Sequence, residues 1–283
     1  MKKNWIYLIF MLIFGLSIQS CHKKNVSGDT LTDEEIGMIV KSDVLSDDMM
    51  VELTGIVDHL NYVYRSNGEN QTSNNFAHPH LPSCATISHF HLSDTLFIDI
   101  TFASSGCEMP SGRKYAGTVH LKKYINRSEG GFFISGNFEN FYIDEIKIEG
   151  YFTRTRKWSN DNGHPEATHE FDLTLVWPDG ETTKTEGTRT IEWVEGYNTL
   201  AQRDDDVFLI TGNWHVIRRD GNEYRINIIT PLRREVSCEW IVSGTMEIIY
   251  NGENYKLDFG DGTCDNEAVL TQPDGSTRTV ELR

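Results

Sequence analysis

From about residue 84 to the C-terminus, apolar and polar positions alternate with a period of two. Leu96, Ile98, Ile100 and Phe102 alternate with Phe97, Asp99 and Thr101, and Phe171, Leu173, Leu175 and Trp177 alternate with polar residues. Phe208, Ile210, Trp214 and Val216 do the same. Successive side chains of a strand point to opposite faces, so each run predicts a strand with one apolar face. Similar runs follow at Tyr224, Ile226 and Ile228, at Trp240, Val242, Met246, Ile248 and Tyr250, and at Tyr255, Leu257 and Phe259. Pro178-Asp179-Gly180, Asp220-Gly221, Asn251-Gly252 and Pro273-Asp274-Gly275 each separate two runs. Such pairs accept the positive φ of a tight hairpin turn, so the strands connect mainly as sequential antiparallel hairpins. The turn glycines lie 41, 31 and 23 residues apart, which fits unequal hairpins and not a fixed-period solenoid or propeller. The predicted fold is all-β: an antiparallel hairpin meander of roughly a dozen strands, arranged as a sandwich, curved sheet or partial barrel.

Ahead of this region the period lengthens. Thr32 to Lys41 and Ser46 to Arg65 predict helices, because Thr32 and Ser46 can cap and acids fill the first turns. In the second helix Met50, Leu53, Val57, Leu60 and Tyr64 recur at three- or four-residue spacing, so it is amphipathic and packs on the domain. Residues 67 to 75, rich in Asn, Ser, Gly and Gln, read as a loop, and His22 to Thr30 as an aperiodic tether.

The first residues read as an export leader. Lys2 and Lys3 precede the apolar run Trp5 to Leu16, and the chain turns polar after Ser17-Ile18-Gln19-Ser20-Cys21. The run falls short of the roughly 20 residues that cross a bilayer, so cleavage is expected. Ser20 before Cys21, with Ile18 nearby, resembles a lipobox, although Gln19 is an uncommon occupant of its slot. The expectation is cleavage before Cys21 and lipidation of that cysteine, with several acyl chains giving a stable anchor. His22 gives no inner-membrane retention signal, so the expected address is the outer membrane, facing the periplasm or the surface. The domain plan is a leader at 1–20, a lipidated tether at 21–31, a helical segment and loop at 32–75, and the β domain at 76–283.

Charge narrows the partners. Residues 1 to 20 hold two of the 26 basic residues and none of the 42 acidic ones, so the cleaved chain has a net charge of −18. Such a surface repels nucleic acid, and nucleic-acid binding is excluded. After Cys21 four cysteines remain, Cys84, Cys107, Cys238 and Cys264, an even number that allows three pairings. Local order favours 84 with 107 and 238 with 264. Both ends of the β region read as cysteine, hairpin, glycine, cysteine, which suggests equivalent terminal modules, each fastened by its own bridge. A zinc site built from the four is the rival reading, against which stands the lack of any C-x-x-C spacing.

Several stretches together resemble a family of uncharacterised envelope lipoproteins of Gram-negative bacteria. They are CATI at 84–87, Gly106-Cys107 with Gly112-Arg113, ENFYIDEIKIEG at 139–150, TPL at 230–232, SCEWIVSG at 237–244 and DFGDGTCDN at 258–266. The resemblance runs from about residue 84 to the end. This chain departs from it at Asp144-Glu145, where the family tends to carry Asn-Gly, which implies a looser or differently shaped turn. The family has no established activity, so the resemblance speaks to location and fold alone.

The densest set of potential metal ligands is His78, His80, His89 and His91. His89 and His91 share a strand face and the loop supplies the other two, so zinc or copper is physically allowed; the plainer reading is exposed histidines beside a loop. Asp258, Asp261, Asp265 and Glu267 surround Gly260, Gly262 and Cys264 but depart from EF-hand spacing, which favours a disulfide-pinned turn with solvated acids. Asp204-Asp205-Asp206 reads as solvated loop charge. Trp158, Trp177, Trp193, Trp214 and Trp240 fall mostly in strand alternations and read as core, although exposed ones would stack on sugars. No G-x-S-x-G elbow, H-E-x-x-H helix, phosphate loop or dinucleotide fingerprint occurs. The expected role is therefore a membrane-anchored binding or scaffolding lipoprotein without catalysis or cofactor, with an envelope protein or glycan as partner. The alternatives are a glycan-acting hydrolase working through paired carboxylates and a lipid carrier holding an acyl chain on its apolar sheet face.

Overall fold

The computed structural model describes residues 31, 32, 36, 49, 53, 81–109, 112–126, 130–199, 202 and 204–282. Thirteen strands follow one another: β1 (Ala85–Leu92), β2 (Thr95–Glu108), β3 (Lys114–Asn126), β4 (Gly131–Ile143), β5 (Ile146–Lys157), β6 (Glu166–Val176) and β7 (Thr182–Glu195), then β8 (Val207–Ile217), β9 (Glu223–Glu235), β10 (Ile241–Tyr250), β11 (Glu253–Asp261), β12 (Glu267–Thr271) and β13 (Thr277–Glu281). Each pairs antiparallel with the next, giving one sheet in the order β1 to β13 that does not close on itself. Of the architectures the alternation allowed, the described residues adopt a single open sheet that is not closed into a barrel.

Register makes one face of this sheet apolar. Leu121 of β3, Phe152 of β5, Phe171 of β6, Trp214 of β8 and Ile226 of β9 lie in one cross-strand row, completed by Gly136 of β4 and Gly187 of β7. A side chain at Gly136 would run into the Phe152 ring, and one at Gly187 into Trp214. The two missing side chains give two aromatic rings room to lie across the strands, the device by which aromatics cover glycines in sheets.

The apolar face of a single sheet needs a cover, and part of it comes from upstream. Leu31, Ile36, Met49 and Leu53 are all at most 2 % exposed and join the same apolar cluster as the strands. The Leu31 amide donates to the Tyr255 hydroxyl, and Arg278 donates to the Leu31 carbonyl at 2.8 Å. Leu31, expected in the tether, is thus docked in the domain, and Leu31–Arg283 form one compact unit. The Ile36 amide donates to the Thr32 carbonyl at 3.0 Å, which is the first helical bond expected if Thr32 caps. Ile36, Met49 and Leu53 are helical, and Met49 and Leu53, four apart, share a face. Of the expected apolar stripe, Leu53 is buried as expected; Met50, Val57, Leu60 and Tyr64 lie outside the described residues, as do the leader, the lipidation site Cys21 and the loop at 67–75.

The turns at Pro178-Asp179-Gly180, Asp220-Gly221, Asn251-Gly252 and Pro273-Asp274-Gly275 all join consecutive strands as expected. Asp144-Glu145 is not a loose turn. Ile143 pairs directly with Ile146, and Asp144 and Glu145 both take positive φ, 48° and 72°, giving a tight two-residue hairpin. What holds two non-glycine residues there is tertiary: the Asp144 carboxylate accepts the Lys114 amide at 2.8 Å and faces Arg113 at 3.5 Å. The disulfides pair Cys84 with Cys107 and Cys238 with Cys264, each spanning one hairpin. The module symmetry is incomplete, because β12 and β13 follow the second module and β13, not β11, forms that edge of the sheet.

Candidate functional site

The inward positions of a sheet face are expected to be apolar, and in five places here they are not. Lys123 of β3 pairs with Ile134 of β4, Ile134 with Arg154 of β5, Arg154 with His169 of β6, and His169 with Arg189 of β7. These residues therefore form one row across five adjacent strands. Neighbouring strands are about 4.8 Å apart, so the contiguous part from Arg154 to Arg189 spans about 10 Å. Lys123, Arg154, His169 and Arg189 are respectively 1 %, 7 %, 5 % and 4 % exposed. Arg156 sits two residues beyond Arg154, half-buried, in the next row with Phe132 and Ala167.

Aromatic faces carry much of this charge. The Lys123 ammonium lies 3.7 Å from the centre of the Phe132 ring, and the Arg189 guanidinium 4.0 Å from that of Trp214 and 5.9 Å from that of Phe171. Arg156 stacks on Trp158 at 5.6 Å. Cations over desolvated rings gain about 2 kcal/mol or more, which offsets part of the several kcal/mol that taking each ion out of water costs. All four cations are also engaged by further interactions within the domain. His169 differs: its Nδ1 is buried and has no hydrogen-bond partner among the described residues. Burial, followed by the charges of Arg154, Arg189 and Arg156, pushes the imidazole pKa down to about 3, so the ring is neutral at physiological pH.

No family model, curated protein or solved structure matches the chain. The chemistry of the site is therefore read from its own residues. Sequence reasoning missed this row, although a signal was present: Lys123, Arg154, Arg156, His169 and Arg189 all stand at the apolar parity of their strands, as in Phe152-x-Arg154-x-Arg156 and His169-x-Phe171. A charge at a core position is the informative anomaly.

The sites singled out from sequence fare differently in the structure. His89 and His91 share the inward parity of β1, opposite Ile98 and Leu96, while His78 and His80 lie outside the described residues. Among the described residues no group of three or more His, Cys, Asp or Glu is placed to hold a metal. Asp258, Asp261, Asp265 and Glu267 line one shallow depression beside Gly260. Three of the four serve local turns: Asp258 accepts from the Gly260 amide, Asp261 from the Thr263 amide and hydroxyl, and Asp265 from the Glu267 amide. Those bonds hold the Asp261 carboxyl below the usual range. In Asp204-Asp205-Asp206 the first two are exposed, but Asp206 is buried against the Gly196 turn and is no solvated loop charge. Of Trp158, Trp177, Trp193, Trp214 and Trp240 only Trp214 is core; Trp177, Trp193 and Trp240 are half-buried and Trp158 is 51 % exposed.

The outward face holds its histidines differently. His120 of β3 sits between Asp99 of β2 at 2.7 Å and Glu139 of β4 at 3.1 Å. His215 of β8 sits between Glu186 of β7 at 3.9 Å and Glu223 of β9 at 3.1 Å. For His120, burial lowers the pKa, but the hydrogen bonds to Asp99 and Glu139 outweigh it and the net shift is upward. The sheet thus keeps one imidazole neutral among cations on its inner face and others among carboxylates on its outer face.

Proposed function

We propose that the chain is a membrane-anchored extracytoplasmic binding lipoprotein of the outer membrane, held by lipid on Cys21, and that the basic row on the inner sheet face is its binding element. The row carries the proposal. A chain with 42 acidic residues against 26 basic ones places Lys123, Arg154, His169 and Arg189 in one register row interrupted only by Ile134, where burying the three cations costs stability that apolar residues would not. Side chains that cost stability and yet lie in register are more economically explained by binding than by folding. Support for the address comes from the lipobox-like Ile18-Gln19-Ser20-Cys21, from the two disulfides, which persist in oxidising compartments, and from the resemblance to envelope lipoproteins.

Two measurements test the two halves. The full chain, expressed in Gram-negative cells fed labelled palmitate, incorporates label, and Cys21→Ser does not; an unlabelled wild-type chain refutes the anchor. Native mass spectrometry of the chain released from the envelope shows a bound molecule whose occupancy falls in Arg189→Gln. Equal occupancy in both refutes the row as the binding element.

A further inference from the structure

We infer that the outward corner of the sheet at β1 to β4 rests on the surface of a lipid bilayer, with Phe90, Leu92, Phe97, Tyr124 and Phe133 entering its interface; this rests on the Cys21 anchor proposed above. Register builds the corner. Phe90 of β1 pairs with Phe97 of β2 and Phe97 with Lys122 of β3. In the adjoining outward row Leu92 pairs with Thr95, Thr95 with Tyr124, and Tyr124 with Phe133 of β4. These positions alternate with buried ones such as Leu96, Leu121 and Phe132, so their side chains point away from the core. The two rows lie about 7 Å apart and span about 14 Å over four strands. Phe90 stacks on Phe97 with ring centres 4.7 Å apart, and Tyr124 lies 5.9 Å from Phe133.

The composition of the corner differs from that of the face around it. The next row on the same face holds Asp99 and His120, and farther strands bring Glu170, Asp172 and Glu186 to it. From β1 to β4 the two aromatic rows hold a single charge, Lys122, whose ammonium lies 5.8 Å from the centre of the Phe97 ring. Asp94 stands beyond them, in the turn between β1 and β2. Aromatic rings beside a lysine that lays its stem on them and sends its ammonium outward suit the boundary between acyl chains and headgroups.

Size and tether length favour a bilayer over a second copy of the chain. Phe90, Leu92 and Tyr124 are 57 %, 63 % and 41 % exposed, which at about 200 Å² per large side chain offers about 300 Å². A stable dimer buries about 800 Å² on each partner, so the corner alone is too small for one. A bilayer contact needs less, because lipid on Cys21 already makes the encounter intramolecular. Cys21 and Leu31 are ten residues apart, and Leu31 is docked in the domain. The chain between them therefore keeps Leu31 within about 35 Å of the bilayer.

The test uses the full lipidated chain in phosphatidylcholine vesicles, with a bimane label on Leu92→Cys and, as reference, on Glu253→Cys. Glu253 is exposed at the opposite end of the strands, and the four native cysteines of the domain are paired. Interfacial burial sets the Leu92 label about 5–10 Å below the headgroup boundary, so brominated acyl chains lower its emission about twofold or more and leave the Glu253 label within about a tenth. Phe90→Ser together with Tyr124→Ser restores the Leu92 emission; should that pair not fold, the two labels in the otherwise wild-type chain still decide. Equal quenching at both positions, or none at Leu92, overturns the inference. Emission that follows protein concentration and not bromination gives the corner to a second copy and overturns it too. Flotation of the same vesicles separates the failures: a chain that floats without quenching at Leu92 leaves the anchor standing, and one that does not float removes the anchor as well.

Discussion

Acid should destabilise this domain through His169 by an amount the structure sets. Burial, with Arg154, Arg189 and Arg156 around it, holds the folded imidazole pKa at about 3 against an ordinary 6.5. Above pH 6.5 the ring is neutral in both folded and unfolded chains, and it costs nothing. As pH falls below 6.5 the unfolded chain takes up a proton there and the folded domain does not. Stability present above pH 6.5 is therefore lost as pH falls, at about 1.4 kcal/mol per unit, until the folded ring itself titrates near pH 3. Between pH 6.5 and 4.5 the loss amounts to about 2.5 kcal/mol, a large share of a typical domain's stability. The perturbation is His169→Gln, which removes the titration and keeps a polar group of similar size. Urea unfolding at pH 7.5, 6.5, 5.5 and 4.5, in chloride without phosphate or fatty acid, gives the free energy of each protein. Other titrating groups are common to both and cancel in the difference. Wild type minus variant should be flat from 7.5 to 6.5 and then fall by about 2.5 kcal/mol by pH 4.5. A difference constant within about 0.5 kcal/mol over the whole range refutes the buried, neutral imidazole and with it the geometry of the row.

Other expectations follow from the same sheet. His120 works with the opposite sign: its raised folded pKa contributes stability below pH 6.5 that disappears as pH rises through it, and nuclear magnetic resonance should place its midpoint above 6.5; a midpoint at or below 6.5 contradicts the Asp99–His120–Glu139 bonds. Because that site is partly exposed, His120→Gln should cost a few tenths of a kcal/mol at pH 6. Gly117 takes a φ of 93° at the bulge between β3 and β4, where a Cβ would run into the Asn140 carbonyl. Gly117→Ala should therefore cost about 3 kcal/mol in urea unfolding, and a cost under about 1 kcal/mol shows that the bulge yields. Replacing Cys238 and Cys264 together by Ser opens a loop of sequence separation 26 and should remove about 3.5 kcal/mol. Leu92→Ser, at a side chain 63 % exposed, should change stability by less than about 0.5 kcal/mol and serves as the control.

Some of this protein was legible from residue order alone because it depends on local physics. A period of two in side-chain direction and an Asn-Gly or Asp-Gly between two runs determine strands and hairpins without reference to the rest of the chain. So do two cysteine pairs, each closing a single hairpin. Sequential antiparallel topology follows from those, and the structure agrees from β1 to β13. Local rules could not say whether the meander would fold into two layers, close or stay open, because closure depends on the accumulated twist and stagger of all the strands. Nor could they foresee that Asp144-Glu145 forms a tight turn, since Lys114 and Arg113, about thirty residues earlier, hold it. The basic row shows the division most plainly. The sequence places each of its members at an apolar parity, one strand at a time. That Lys123, Arg154, His169 and Arg189 stand side by side is a matter of register between five strands, and register is set by the bulges and turns that connect them. A one-residue slip in any of those pairings would turn the affected charges to the outer face, so the row, unlike the strands that carry it, exists only in the assembled sheet.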